Sequence, residues 1–244
     1  HEARILTLLH RSPAAPLFLI PFHGLDPRSS ALVFDASLHG DLDALARRLA
    51  ALPDPARLQH TRDAFTPLAA SLIAGLAFLH AHAVVHADIK PANILLSAGH
   101  PLRARYIDFS ASSAPSLPPS STAGAGTWAF LPPEALRPGP VLPTPAADIW
   151  SLAVSLLSLL AGSPPYATAS PSPSSPTHLF RLREAVKSGD PLAFAKRDPV
   201  VQRRLAAVPD LLDVVRPALQ KVPARRVDAE NWARRVPERE GVEA

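Results

Sequence analysis

The sequence predicts an α+β fold, with a small β portion first and helices making up most of the rest of the chain. Three observations carry this. Leu17–Ile20 and Ala31–Phe34 are short apolar runs bounded by Pro, Gly and Ser, which reads as strands. Phe65, Leu68, Ala69, Leu72, Ile73, Leu76 and Leu79 recur every three or four residues, the spacing of one apolar helix face. From Pro145 to Leu160 the chain is apolar on nearly all sides, broken by a stripe of Ser151, Ser155 and Ser158, which reads as a core helix.

Composition sets further bounds. A length of 244 residues suffices for one large domain with ample core. Charged residues are 19% against 47% hydrophobic, a globular balance rather than a disordered one. The net charge of +4 is spread along the chain, so no nucleic-acid footprint stands out and no nucleic-acid partner is expected. There is no Cys, which excludes disulfides and thiolate zinc sites and suits a reducing, intracellular setting, cytoplasmic or nuclear. No uninterrupted apolar run reaches the ~18–20 residues of a membrane span, so no membrane partner is expected. The oligomeric state is not legible. Two Pro/Ser-rich stretches, Ala111 to Ala123 and Ser163 to Pro176, read as loops.

Taken in order, the first ten residues read as a helix burying Ile5, Leu6, Leu8 and Leu9. The two apolar runs come next as strands. Pro67 either opens the next helix behind Thr66 as N-cap or kinks a longer one. Thr144-Pro145-Ala146-Ala147-Asp148 supplies an N-cap, Pro at the first helical position and an acidic first turn to the apolar helix.

The chemistry concentrates in His86-Ala87-Asp88-Ile89-Lys90-Pro91-Ala92-Asn93. A carboxylate, an ammonium and an amide share one short loop between the apolar runs Val84-Val85 and Ile94-Leu95-Leu96. That set suits phosphoryl transfer, which asks mainly for positioning and charge neutralisation. Asp88 can take a proton from an attacking hydroxyl, Lys90 can neutralise phosphoryl charge, and Asn93 can hold a metal through its amide oxygen. Asp108 then stands at the end of an apolar stretch, Tyr106-Ile107, followed by Phe109-Ser110.

These residues resemble the eukaryotic-type protein kinase domain. The loop resembles H-R-D-x-K-x-x-N with Ala87 in the Arg position, and Asp108-Phe109-Ser110 resembles D-F-G with Ser for Gly. Gly126-Thr127-Trp128-Ala129-Phe130-Leu131-Pro132-Pro133-Glu134 is similar to the end of an activation segment, and Asp148-Ile149-Trp150-Ser151 to the core-helix motif D-x-W-S. Leu219 to Arg226 resembles the late L-x-x-D-P-x-x-R element. A second candidate, His39-Gly40-Asp41, fails because Ala46 stands where Asn is required.

The resemblance implies a single kinase domain over 1–244, with residues 1–35 a remnant of the small lobe and 36–244 the hinge and a large, mostly helical lobe. It implies ATP and Mg2+ as cofactors and a protein substrate as partner. Asp88, Lys90 and Asn93 would be catalytic, and Asn93 and Asp108 would hold the metal. Phe34, Asp35, Ser37 and Asp41 would surround the nucleotide at the hinge, and Glu2 would pair with a small-lobe lysine. Asp148 would anchor the catalytic-loop backbone, and Glu134 would pair with Arg226. Lys90 and Thr127 point to the serine/threonine branch. A small-molecule phosphotransferase would lack the Pro133-Glu134 and Asp148-to-Ser151 elements. No Gly precedes Gly24 and no Lys precedes Lys90, so the glycine-rich loop and small-lobe lysine are expected upstream, in a longer parent. The alternative is a pseudokinase-like binding module, suggested by Ala87 and Ser110.

Overall fold

In the computed structural model of the chain, residues 1–97, 102–118, 126–137, 142–169 and 176–236 are described. The expected loops after Ala111 and after Ser163 lie partly outside them, at 119–123 and 170–175.

Helix α1, Glu2–Leu9, buries Ile5, Leu6 and Leu9, with Leu8 half-buried. The apolar run 17–20 is not a strand. Ala15–Phe18 is a short helix, α2, with Pro16 in its first turn, where the fixed φ of proline suits a helix start. Phe18 packs its ring 5.1 Å from that of Phe78, and only the following Leu19 is extended, bridging to Tyr106. The first strand comes later, as β1, Phe22–Asp26. It turns through Asp26, whose carboxylate accepts from Arg28 N–H and the Ser29 hydroxyl, into β2, Ala31–Phe34, its antiparallel partner. The second strand therefore stands where expected and the first is displaced by one turn of helix.

Asp41 caps α3, Leu42–Ala50, by accepting from Ala44 N–H at 2.7 Å. Helix α4, Asp54–Ala81, runs through Pro67 rather than starting behind Thr66. An internal proline costs about 3 kcal/mol. Against that, all seven residues of the predicted face are fully buried, and each large apolar side chain contributes roughly 1.5–3 kcal/mol. Packing prevails, and the helix continues. By length and composition alone α4 would pass for a membrane span, yet half of its apolar window is buried, and it packs against α2, a strand after the stretch 86–93 and the core helix.

That strand is β4, Arg103–Tyr106, which pairs antiparallel with β3, Ile94–Ser97. Among the described residues the two sheets thus have two strands each. The core helix α5, Pro145–Ala161, begins at Thr144, whose hydroxyl accepts from Ala147 N–H, and ends at Gly162 in the left-handed region. Every residue from Asp148 to Ala161 is buried. The serine stripe is accommodated because Ser151, Ser155 and Ser158 each donate to the carbonyl four residues back. Short helices α6 (His178–Ser188), α7 (Pro191–Ala195), α8 (Pro199–Ala206), α9 (Pro209–Val215) and α10 (Ala229–Ala233) complete the large lobe.

Candidate active site

The stretch 86–93 lies between the end of α4 and β3, with Val84, Ile94 and Leu96 buried on either side. Asp148, from the first turn of α5, holds it from below. Its carboxylate is 1% exposed and accepts from His86 N–H at 2.8 Å and Ala87 N–H at 2.9 Å. Ala87 has φ of 69°, a left-handed conformation that costs a non-glycine residue about 1–3 kcal/mol and persists only where neighbours over-determine it. The two bonds from Asp148 do so. The imidazole of His86 fixes the next residue. Its Nε2 lies 3.0 Å from Ile107 O, which can only accept, so Nδ1 is left to accept from Asp88 N–H at 3.3 Å.

Asp88 is the point of convergence. Its Oδ2 accepts from Lys90 Nζ at 2.6 Å and from Asn93 Nδ2 at 3.2 Å. Its Oδ1 accepts from Thr127 N–H at 2.9 Å and the Thr127 hydroxyl at 3.0 Å. Lys90 also reaches Thr127 Oγ1, at 3.0 Å. The loop 86–93 and the distant Thr127 therefore meet on one carboxylate. Gly126 permits the approach, since a Cβ there would stand 3.0 Å from Ala87 O and 2.8 Å from Leu131 Cδ2. Earlier in the chain, Ser113 is tied to Val85 by two backbone bonds, both 2.9 Å.

Asp108 lies beyond β4 with φ of 62°. Its Oδ1 accepts from the Ser110 hydroxyl at 2.6 Å and from Ser110 N–H at 3.3 Å. Glu2, on α1, accepts from Phe109 N–H at 2.9 Å. Burial raises the pKa of Glu2 above its ordinary value, the negative charge of Asp108 adds to the rise, and the Phe109 bond opposes it. Of the residues expected at a hinge, Asp41 bridges to Leu95 of β3, next to the bond from Leu96 N–H to Gly40 O. Phe34 stacks on Phe22 at 5.4 Å and Asp35 lies 2.6 Å from His23 Nε2. Ser37 Oγ donates to Leu96 O at 3.4 Å. Asp41 has one oxygen committed to the α3 cap.

The donor set available for a cation consists of oxygens. Asn93 turns its amide nitrogen to Asp88 O and Oδ2, which leaves its Oδ1 as an acceptor, and Asp108 offers a carboxylate. Hard oxygen donors of this kind fit Mg2+, which keeps waters and phosphate oxygens in its remaining positions. No group of three or more His, Cys, Asp or Glu side chains that could hold a metal unaided occurs among the described residues.

Behind the site, Arg226 reaches Glu134 with both terminal nitrogens, at 2.5 and 2.8 Å, as expected. It also donates to Gln220 O and Ala146 O and lies over the Trp150 ring. Two contacts are barely legible in the sequence. The grip of Thr127 on Asp88 joins residues 39 apart, and the Gly-Thr pair was its only trace. The bond from Phe109 N–H to Glu2 involves a backbone donor, which leaves no mark in sequence.

A protein kinase domain family model matches residues 24–235. The chain is 33% identical over 211 residues to the serine/threonine-protein kinase PkaA of Streptomyces coelicolor, an alignment covering 83% of this chain and 35% of that protein. It is 33% identical over 175 residues to the serine/threonine-protein kinase PknH of Mycobacterium tuberculosis, covering 70% of this chain and 26% of that one. The chain thus spans about a third or less of the length of these relatives. In fold it resembles a crystal structure of the Rad53 kinase domain and SCD2, with a TM-score of 0.65 at 19% identity over 96% of this chain and 73% of that one. With the loop geometry, the helical lobe and these matches in agreement, the chain belongs to the eukaryotic-type serine/threonine protein kinase domain family.

Proposed function

We propose that these residues carry the catalytic loop of a serine/threonine protein kinase that transfers the ATP γ-phosphate to a protein hydroxyl. The observation that carries this reading is the hydroxyl of Thr127, bonded to Asp88 Oδ1 and to Lys90 at 3.0 Å each. A hydroxyl can be seated on the carboxylate with an ammonium beside it. For an acceptor hydroxyl in that setting, Asp88 receives the proton as the oxygen–phosphorus bond forms, and Lys90 offsets the charge on the phosphoryl oxygens. Asn93 and Asp108 are the residues to hold Mg2+, which when bound supplies charge neutralisation at the phosphates.

Within these 244 residues no glycine precedes Gly24 and no lysine precedes Lys90. The proposal is accordingly that these residues alone bind ATP weakly and transfer no phosphate. A preceding segment that supplies a glycine-rich cover and a lysine for Glu2 should restore both. In such an extended protein, Asp88→Asn is expected to cut the transfer rate by about 10²-fold or more while leaving ATP affinity unchanged. Unchanged turnover would overturn the assignment of Asp88.

A second reading, a binding module without phosphotransfer, is favoured by two contacts. Ser110 already occupies an oxygen of Asp108, and Glu2 is answered by a backbone N–H. Calorimetric titration of Mg-ATP into the extended protein separates the readings: no binding with the lysine present would favour the module.

A further inference from the structure

The proposed reaction makes no use of the concavity between the end of α9 and α10. There an open cavity of about 590 Å3 is lined by Arg216, Arg225, Arg226 and Arg235, with Asp228 the one acidic side chain in its wall. Arg226 is spent, its guanidinium held by Glu134 and by the carbonyls of Gln220 and Ala146. Asp228 is also committed. Its carboxylate accepts from Asn231 N–H at 2.8 Å and Asn231 Nδ2 at 2.7 Å, bonds that hold its pKa below the ordinary value and keep it ionised. Arg216 lies 3.2 Å from Asp213, but both side chains are more than half exposed, so solvent screens the pair. Arg225 and Arg235 are exposed and form no ion pair among the described residues.

An exposed arginine is not by itself a site, and this chain has others. What distinguishes these three is their convergence on one concavity of ligand-binding size. Like charges facing a common space repel, and an anion placed among them removes that repulsion. Guanidinium forks match phosphate oxygens two at a time. The wall offers Pro217 and Val227 as its apolar residues and no aromatic ring, so nothing stacks on a nucleobase. A compact anion with several phosphates fits this lining better than a nucleotide does.

We propose that this cavity binds a small polyphosphorylated molecule through Arg216, Arg225 and Arg235, at a site separate from the catalytic loop. Calorimetric titration of inorganic tripolyphosphate into the 244-residue chain, at low ionic strength and without divalent cations, should give saturable one-to-one binding. Arg225→Gln with Arg235→Gln should weaken it about 100-fold, because two charge-assisted contacts are lost, and should leave the melting temperature unchanged. Arg48→Gln with Arg181→Gln makes the same change of charge at exposed positions outside the cavity, and should retain the affinity. Equal affinity in the two double variants would overturn the proposal. So would equal binding of inorganic monophosphate, which would reduce the effect to general screening. A phosphoserine peptide that bound more tightly than tripolyphosphate would overturn the small-molecule assignment in favour of a protein segment.

Discussion

Glu2 sits half-buried, its carboxylate accepting from Phe109 N–H at 2.9 Å, with the charges of His86 and the N-terminus lowering its pKa more weakly. Burial and the neighbouring Asp108 hold its carboxyl above the ordinary 4.5. The folded chain therefore binds this proton more tightly than the unfolded chain does. The stability it contributes is fully present below about pH 4.5 and is lost as pH rises through the raised value. Glu2→Gln keeps the oxygen that accepts from Phe109 and removes the titration. The variant is expected to melt higher than the parent at pH 7 and to lose that advantage as pH falls towards 4. Identical melting curves at both pH values would show that Glu2 has found another counter-charge. A lysine opposite Glu2, as the family resemblance implies, would offset a charge that the backbone donor leaves only partly compensated.

Elements were legible in proportion to how local their causes are. All seven residues that mark the buried face of α4 are periodic in sequence, and the Thr-Pro start of α5 is written in five consecutive letters. Pro67 leaves the start of α4 open between Thr66 and a longer helix, and packing with residues far along the chain decides for the longer one. The run 17–20 misled because Pro16 starts a helix there and apolar content alone cannot tell a strand from a buried turn. In the site, Asp88, Lys90, Asn93 and Asp108 stand out as candidates by residue type and by the motifs they resemble, whereas the contacts of Thr127 with Asp88 and of Glu2 with Phe109 arise only through tertiary structure. The tie between the 3₁₀ turn Pro133–Leu136 and the turn Pro223–Arg225 shows both kinds of information at work. Arg226 has its side chain 1% exposed and forked onto Glu134, while its neighbour Arg225 is exposed without a partner among the described residues. Arg226→Ala strands a carboxylate 18% exposed, a loss of roughly 3–5 kcal/mol. At about 2–4 °C per kcal/mol for a chain of this size, the melting temperature should fall by roughly 6–20 °C. Arg225→Ala should move it by about 1–2 °C at most. Equal effects from the two would disprove the pairing.

At the scale of the molecule, α5 is the member to which the working parts are fastened. Its first turn holds the catalytic loop through Asp148, and Ser151 Oγ donates to Phe130 O of the activation segment at 2.9 Å. Trp150 lies under Arg226. At its far end, Arg57 Nη2 donates to Leu160 O at 2.7 Å and Arg204 Nη1 to Ala161 O at 3.4 Å, so two guanidinium groups answer the C-terminal carbonyls. Burial, with the charge of Arg204 second, lowers the Arg57 pKa to about 10, so it remains a cation at neutral pH. The sheet β1–β2 is held more lightly, through Phe22 N–H donating to His10 Nε2 at 3.2 Å and through Phe22 and Leu32 packing against the core. Leu25, Val33 and Phe34 are 53%, 44% and 37% exposed, and a sheet of two strands is marginal without cover. Stability should therefore be graded, highest in α5 and lowest in β1–β2. Hydrogen exchange is expected to run at least about 100-fold faster at the β1–β2 amides than at those of α5 between Leu152 and Leu160. The β3–β4 amides should lie between, because Ile94, Leu96, Ala104 and Tyr106 are buried. Protection of β1–β2 equal to that of α5 would mean that the small sheet unfolds only with the whole molecule, and that the helical lobe does not hold the active site independently of it.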